Sequence, residues 1–294
     1  MPQALQLIIY RSHMSYKTYR AYSMMRKLRL PFPAFFILLL SLVISGMASD
    51  CKKPNFVVIF TDDQGYGDLS CFGGKHVNTP RIDKMAAEGS KLTSFYVAAP
   101  VCTPSRAALM TGCYPKRVDM ATGSDFIVVL AADPKGLNPK EITMAEVLKT
   151  QGYQTGIFGK WHLGDHDDTR PHMRGFDESS GLMYSNDMWR HHPLDPKIFR
   201  VPLKYWKNGK IIIEDFSKAD QKNLTKWSAE DSVDFINRQK DKPFFLYVPF
   251  SMPHVPLYVS KEFENRSGLP MQPLQHPSLM NCHEKYPLLD GLNQ

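Results

Sequence analysis

Asn55 to Phe60 is a short, continuously apolar run rich in β-branched residues, and it ends abruptly in Thr61-Asp62-Asp63-Gln64-Gly65. An apolar run without alternation predicts a strand covered on both faces, as in a parallel sheet. Thr79 to Gly89 carries helix punctuation: Thr79 suits the N-cap, Pro80 the first helical position and Gly89 the stop, with Ile82, Met85 and Ala86 on one face. Leu92 to Val97 predicts a second strand, and Pro104 to Thr111 a helix that opens just after Cys102. Ile142 to Gln151 predicts an amphipathic helix stopped by Gly152. Gln154 to Phe158 predicts a strand ending in Gly159-Lys160-Trp161-His162. Ser228 to Lys240 predicts a helix with Val233, Phe235 and Ile236 inward, followed by a strand from Pro243 to Phe250 that runs into Ser251-Met252-Pro253-His254. The alternation predicts an α/β fold with a largely parallel central sheet flanked by helices. If the strands are parallel neighbours, the clusters Asp62/Asp63, Lys160/His162 and His254 meet at one sheet edge, where α/β folds place their sites.

Charge changes the picture only at the amino terminus. The formal net charge is +7, but residues 1–48 hold six Lys or Arg and no Asp or Glu; outside them 30 basic residues face 29 acidic ones. A nearly neutral body without a basic cluster argues against a nucleic-acid partner. Arg26, Lys27 and Arg29 precede the apolar run Phe35 to Ile44, and Gly46 and Ala48 follow with cleavage-site spacing. Residues 1–48 therefore read as a signal peptide, with Met24 or Met25 a plausible true start, and predict export to the periplasm or extracellular space. The run is short for a membrane span, and none is expected. Cys51 is not placed as a lipidated first residue, and no internal repeat or low-complexity tract is present.

The five cysteines are Cys51, Cys71, Cys102, Cys113 and Cys282, an odd number without a C-x-x-C pair. That spacing argues against a thiolate zinc site and invites a special role for one cysteine. Asp62 and Asp63 suit a hard cation such as Ca²⁺ or Mg²⁺, although adjacent Asp residues also occur in ordinary turns. His166 with Asp167 and Asp168, and the pair His191-His192, read as a polar rim of a substrate pocket. Asn223-Leu224-Thr225 and Asn265-Arg266-Ser267 are glycosylation sequons.

Cys102-Thr103-Pro104-Ser105-Arg106 resembles the C-x-P-S-R sequence of type I sulfatases, formylglycine-dependent members of the alkaline phosphatase superfamily. The continuation Ala107 to Pro115 is also similar, with Cys113 where Arg is common. Asp62 to Asp68 resembles the first metal motif, Gly159-Lys160-Trp161-His162-Leu163-Gly164 the lysine–histidine motif, and Pro253-His254-Val255-Pro256 the second histidine motif. Tyr184-Ser185-Asn186-Asp187 resembles a weaker segment. The resemblance covers about residues 53–268, which makes that span the amino-terminal part of a sulfatase catalytic domain.

It implies an arylsulfatase-like hydrolase of sulfate esters. Cys102, oxidised to formylglycine by a maturing enzyme, would hydrate to a gem-diol; one oxygen attacks sulfur and the second later expels sulfate. A divalent cation, Ca²⁺ with Mg²⁺ as an alternative, would polarise the sulfate oxygens. By position, Asp62, Asp63 and modified Cys102 would be metal ligands. Arg106 would steady the formylglycine, Lys160 would hold sulfate, and His162 would move the diol proton. His254 would contact sulfate or protonate the leaving oxygen, and Ser185 would contact sulfate. A sulfated glycan, an aryl sulfate and a sulfolipid are all compatible substrates.

After Gly268 the sequence departs from the family. The later Asp-Asn pair and second lysine do not follow, and Pro270, Pro273, Pro277 and Pro287 break any helix. Residues 269–294 therefore read as a divergent tail produced by truncation or frameshift, with weak cation binding, low stability and low activity expected. Two other readings stay open: a phosphate or phosphonate ester hydrolase of the same superfamily, and a non-catalytic remnant that grips sulfated glycans.

Overall fold

The computed structural model describes residues 53–75, 77–192, 199 and 201–264. The leader, its cleavage site, Cys51, Cys282, the second sequon and the tail after Gly268 lie outside the described residues. Except for Lys53 and Pro54, the described residues belong to one compact unit.

Six strands form one sheet: β1 (Phe56–Phe60), β2 (Gln154–Lys160), β3 (Glu178–Leu182), β4 (Tyr205–Lys207), β5 (Lys210–Ile213) and β6 (Phe244–Pro249). Their spatial order is β1-β6-β2-β3-β4-β5. The first four in that order are mutually parallel, whereas β4 and β5 pair antiparallel. The α/β expectation is met, and the three strands foreseen to end in polar clusters are parallel neighbours.

Period-two alternation explains why β1 and β6 read as unbroken apolar runs. Phe244, Leu246 and Val248 of β6 join Val57 and Ile59 of β1 on one face, against Ala229, Phe235 and Ile236. Phe245 and Tyr247 point to the other face, with Val58, Phe60, Ala107, Met110 and Trp161. Burial of each large apolar side chain stabilises the fold by roughly 1.5–3 kcal/mol. Helix α4 (Lys218–Gln239) supplies the first cover, and α2 (Cys102–Thr111) packs on the second face. A shorter helix, α3 (Met144–Thr150), adds Met144, Ala145 and Leu148 there.

Four expectations are corrected. Leu92 to Val97 is not a strand; Leu92 and Tyr96 are exposed, so the run has no sheet to join. Helix α4 begins ten residues before Ser228, because Ser217 and Asp220 form a capping box that starts it earlier. Helix α3 starts later than Ile142, which is exposed; Thr143 caps it through Glu146. In α1 (Pro80–Glu88) the Thr79 hydroxyl does not cap; it donates to Asp83 and accepts from the Ser70 amide.

Candidate active site

The carboxyl ends of β1, β6 and β3 are followed by Asp62/Asp63, Ser251 to His254 and Ser185 to Asp187, respectively, and β2 ends on Lys160, with His162 two residues on. Glycine lets three of these ends crowd together. A Cβ on Gly181 would lie 1.8 Å from the Gly159 carbonyl oxygen, and one on Gly159 would lie 2.1 Å from that of Pro249. Both glycines have positive φ, 139° and 145°.

At this edge Lys160 and Arg106 are fully buried. Lys160 Nζ donates to Asp62 Oδ2 in a very short contact and to Ser185 Oγ at 2.9 Å. Arg106 Nη2 lies 3.4 Å from the same Asp62 oxygen. Its Nη1 donates to the Lys160 carbonyl at 2.6 Å, and the guanidinium stacks 5.1 Å from the Phe60 ring centroid. Burial pushes the Asp62 carboxyl up, but the Lys160 and Arg106 charges overcome it and hold Asp62 well below the usual carboxylate range. Asp63 goes the other way: burial raises it, His254 opposes, and the like charge of Asp62 and Asp187 adds to the rise. His254 Nε2 sits 3.7 Å from Asp63 Oδ2, and its Nδ1 donates to the Val255 carbonyl at 2.6 Å. Cis peptide bonds precede Pro253 and Pro256, on either side of His254.

Asp63 and His162 are non-glycine residues in the left-handed region, with φ of 65° and 60°. Such backbone gathers at functional sites when its surroundings enforce it. His162 is fully buried, its amide donates to Met183 O at 2.9 Å, and its ring meets Tyr184 edge-on at 6.0 Å. Burial, with the nearby Lys160 and Arg106 charges, drives its pKa well down, so the ring is neutral. Nε2 donates to the Val129 carbonyl at 2.9 Å, which leaves Nδ1 unprotonated and, although buried, without a hydrogen-bond partner.

Cys102 occupies the first turn of α2 and is a free thiol, like Cys71 and Cys113. It lies within electrostatic reach of Lys160, Asp62 and Arg106, yet burial pushes its thiol pKa up. The thiol is therefore a poor thiolate nucleophile as it stands.

Asp62 and Asp63 offer the hard oxygen donors a Ca²⁺ or Mg²⁺ ion takes, but Ca²⁺ needs about six to eight oxygens. Among the described residues no group of three or more His, Cys, Asp or Glu side chains could hold a metal ion. The donor type fits a cation; the donor number does not complete a shell. The rim histidines are engaged locally: His166 with the Asp133 carbonyl at 2.8 Å, and His191 with Asp215 at 3.4 Å. Asp167 pairs with Arg170 at 2.9 Å.

All eight sequence-derived site residues thus sit at one sheet edge or at the adjoining start of α2. Sequence reasoning missed Val129, whose contribution is a backbone carbonyl. It also missed Tyr247, buried beside Arg106 with its phenol pushed up by burial to about 12. The alternation of β6 could have pointed to Tyr247; no side-chain signal marks Val129.

A parallel sheet that gathers cations and carboxylates at its carboxyl edge defines the class: the chain belongs to the sulfatase family, whose model, described as Sulfatase, matches residues 54–277. Arylsulfatase G of Homo sapiens is 36% identical over 255 residues, which cover 78% of this chain and 46% of that protein. The PsFucS1 sulfatase from Pseudoalteromonas sp. superposes with a TM-score of 0.68 at 30% identity, over 90% of this chain and 56% of that one. Ps i-CgsB, solved in complex with k-i-k-neocarrahexaose, superposes with a TM-score of 0.63 at 31% identity, over 82% of this chain and 54% of that one. The chain spans about half the length of the curated relatives it matches. Among the described residues no helix is long and apolar enough to cross a membrane.

Proposed function

We propose that this chain carries the amino-terminal share of a sulfuric ester hydrolase site, built on a Cys102 that a maturing enzyme oxidises to formylglycine. The observation that carries this reading is the buried Asp62–Lys160–Arg106 cluster, with Ser185 on Lys160, at the shared end of parallel strands. Formylglycine would supply the nucleophilic oxygen, and Ca²⁺ or Mg²⁺ would supply Lewis acidity to the sulfate oxygens.

The chain's own residues divide the remaining work. Lys160 and Ser185 are oriented against each other and would bind sulfate oxygens. Arg106, anchored on the Lys160 carbonyl, would keep positive charge beside the modified residue. Neutral His162 has Nδ1 free to take a proton. His254, with Nδ1 committed to Val255, presents Nε2 on the Asp63 side, where it would meet the leaving oxygen. Asp62 and Asp63 would donate to the cation, with the remaining ligands coming from outside the described residues. The raised thiol pKa of Cys102 favours a position whose reactivity is installed by oxidation over a cysteine nucleophile.

The same proposal takes residues 1–48 as an export leader, residues 53–268 as catalytic domain and residues 269–294 as a divergent tail. It takes a sulfated glycan as the substrate class. The carbohydrate complex of Ps i-CgsB supports that choice.

The test is mass spectrometry of the tryptic peptide Leu92 to Arg106 after expression in a host with the maturing enzyme. An aldehyde in place of the Cys102 thiol is expected. Unmodified cysteine throughout sinks the reading. Parallel assays of sulfate and phosphate esters, with Ca²⁺ and with a chelator, then read the ester class.

A further inference from the structure

The neutral ring of His162 is held by a contact that begins beside the nucleophile position. Thr103 follows Cys102 in the first turn of α2 and is fully buried. Its Oγ1 accepts from the Val129 amide at 3.2 Å, and the Val129 carbonyl accepts from His162 Nε2 at 2.9 Å. Val129 and His162 are also fully buried, so neither contact competes with solvent. A buried amide without an acceptor is costly, which ties the Val129 N–H to the threonine hydroxyl. A carbonyl can only accept, so the Val129 carbonyl, on the other side of the same Cα, puts the His162 proton on Nε2. The branched Cβ of Thr103 limits its rotamers and keeps the hydroxyl in place.

We propose that Thr103 is a positioning residue: through the backbone of Val129, whose amide and carbonyl flank one Cα, it fixes His162 in the tautomer that leaves Nδ1 free. The consequence for catalysis rests on the hydrolase reading above; the tautomer does not. Because the link starts one residue after Cys102, it also sets where the His162 ring sits relative to the start of α2. A shift of α2 would pull the Val129 backbone with it and loosen the ring.

The experiment uses the full 294-residue chain with ¹⁵N-labelled histidine and valine, and needs no turnover. The wild type is expected to show His162 protonated on Nε2, with that proton and the Val129 amide both protected from exchange. Thr103→Val removes the hydroxyl at nearly constant shape. It is expected to speed exchange at both positions by about tenfold, the worth of one buried hydrogen bond, and to mix the His162 tautomers. Thr103→Ser keeps the hydroxyl and is expected to follow the wild type. Thr103→Ala is a second hydroxyl-free variant that adds no bulk, should the valine variant fail to fold. A wild-type His162 protonated on Nδ1, a freely exchanging Val129 amide, or a folded Thr103→Val or Thr103→Ala chain with unchanged tautomer and exchange would overturn the proposal. A missing aldehyde at Cys102 alongside the expected tautomer data would remove the hydrolase reading and leave the positioning role intact.

Discussion

The parallel part of the sheet and its antiparallel end are built on different principles. Strand β6 is buried along its whole length and pairs in parallel with β1, nearly the entire described chain away in sequence. The β4–β5 hairpin is local, and β5 alternates exposed and half-buried positions. Its turn is Asn208-Gly209, with φ of 48° and 76°, the conformation a two-residue hairpin favours. Parallel strands all end on the same side, so residues far apart in sequence converge there; a hairpin sends successive ends to opposite sides. The chemistry sits on the parallel part for that reason.

Substitutions in the two regions should separate by size. The largest effect is expected for Asp62→Asn, which leaves Lys160 and Arg106 buried without their counter-charge. Urea unfolding should show a loss of about 3–5 kcal/mol, and a loss below 1 kcal/mol would mean that the cluster does not hold the parallel ends together. Next come two alanines compared by the same measurement. Gly159→Ala drives a methyl into the Pro249 carbonyl and should cost about 3 kcal/mol. Gly209→Ala meets only the His172 ring at 3.2 Å and should cost about 1–2 kcal/mol for its left-handed φ. Equal costs would erase the contrast.

The smallest effect is a pH slope. His162 is neutral when folded, and its pKa is held well below the ordinary value near 6.5. The unfolded chain takes up this proton first as pH falls. The stability His162 contributes is therefore complete above about pH 6.5 and is lost as pH falls from there toward the folded value. His162→Gln should flatten that part of the stability–pH curve, and an unchanged slope would mean that His162 is not the group responsible.

The legibility of the sequence follows the same division. Strands packed on both faces announce themselves as apolar runs, as β6 and the more exposed edge strand β1 do, and β2 is legible from Gln154 to Phe158, as are the polar residues at and just past the ends of all three. Strand β3, Glu178 to Leu182, was not: its Ser179, Ser180 and Gly181 are buried by neighbours rather than by hydrophobicity. The hairpin has a turn signal in Asn208-Gly209, but its strands, three and four residues long, are too short to show a period-two pattern. Leu92 to Val97 shows the converse error, a run with three large apolar or aromatic residues at its end that pairs with no strand among the described residues. Of the candidate site, the identities of the charged residues were readable. The joint hold of Lys160 and Arg106 on one Asp62 oxygen is not, because it depends on side-chain reach across the sheet edge.

The backbone of one residue illustrates how function can be stored without a functional side chain. At Val129 the amide and the carbonyl are the two working parts, and every amino acid except proline carries both. Leucine or isoleucine at that position would preserve the junction, and proline would sever it by removing the amide hydrogen. Natural variation there would therefore report the volume of the surrounding core and stay silent about the histidine it steadies. The relevant signature is a forbidden substitution, not a required residue.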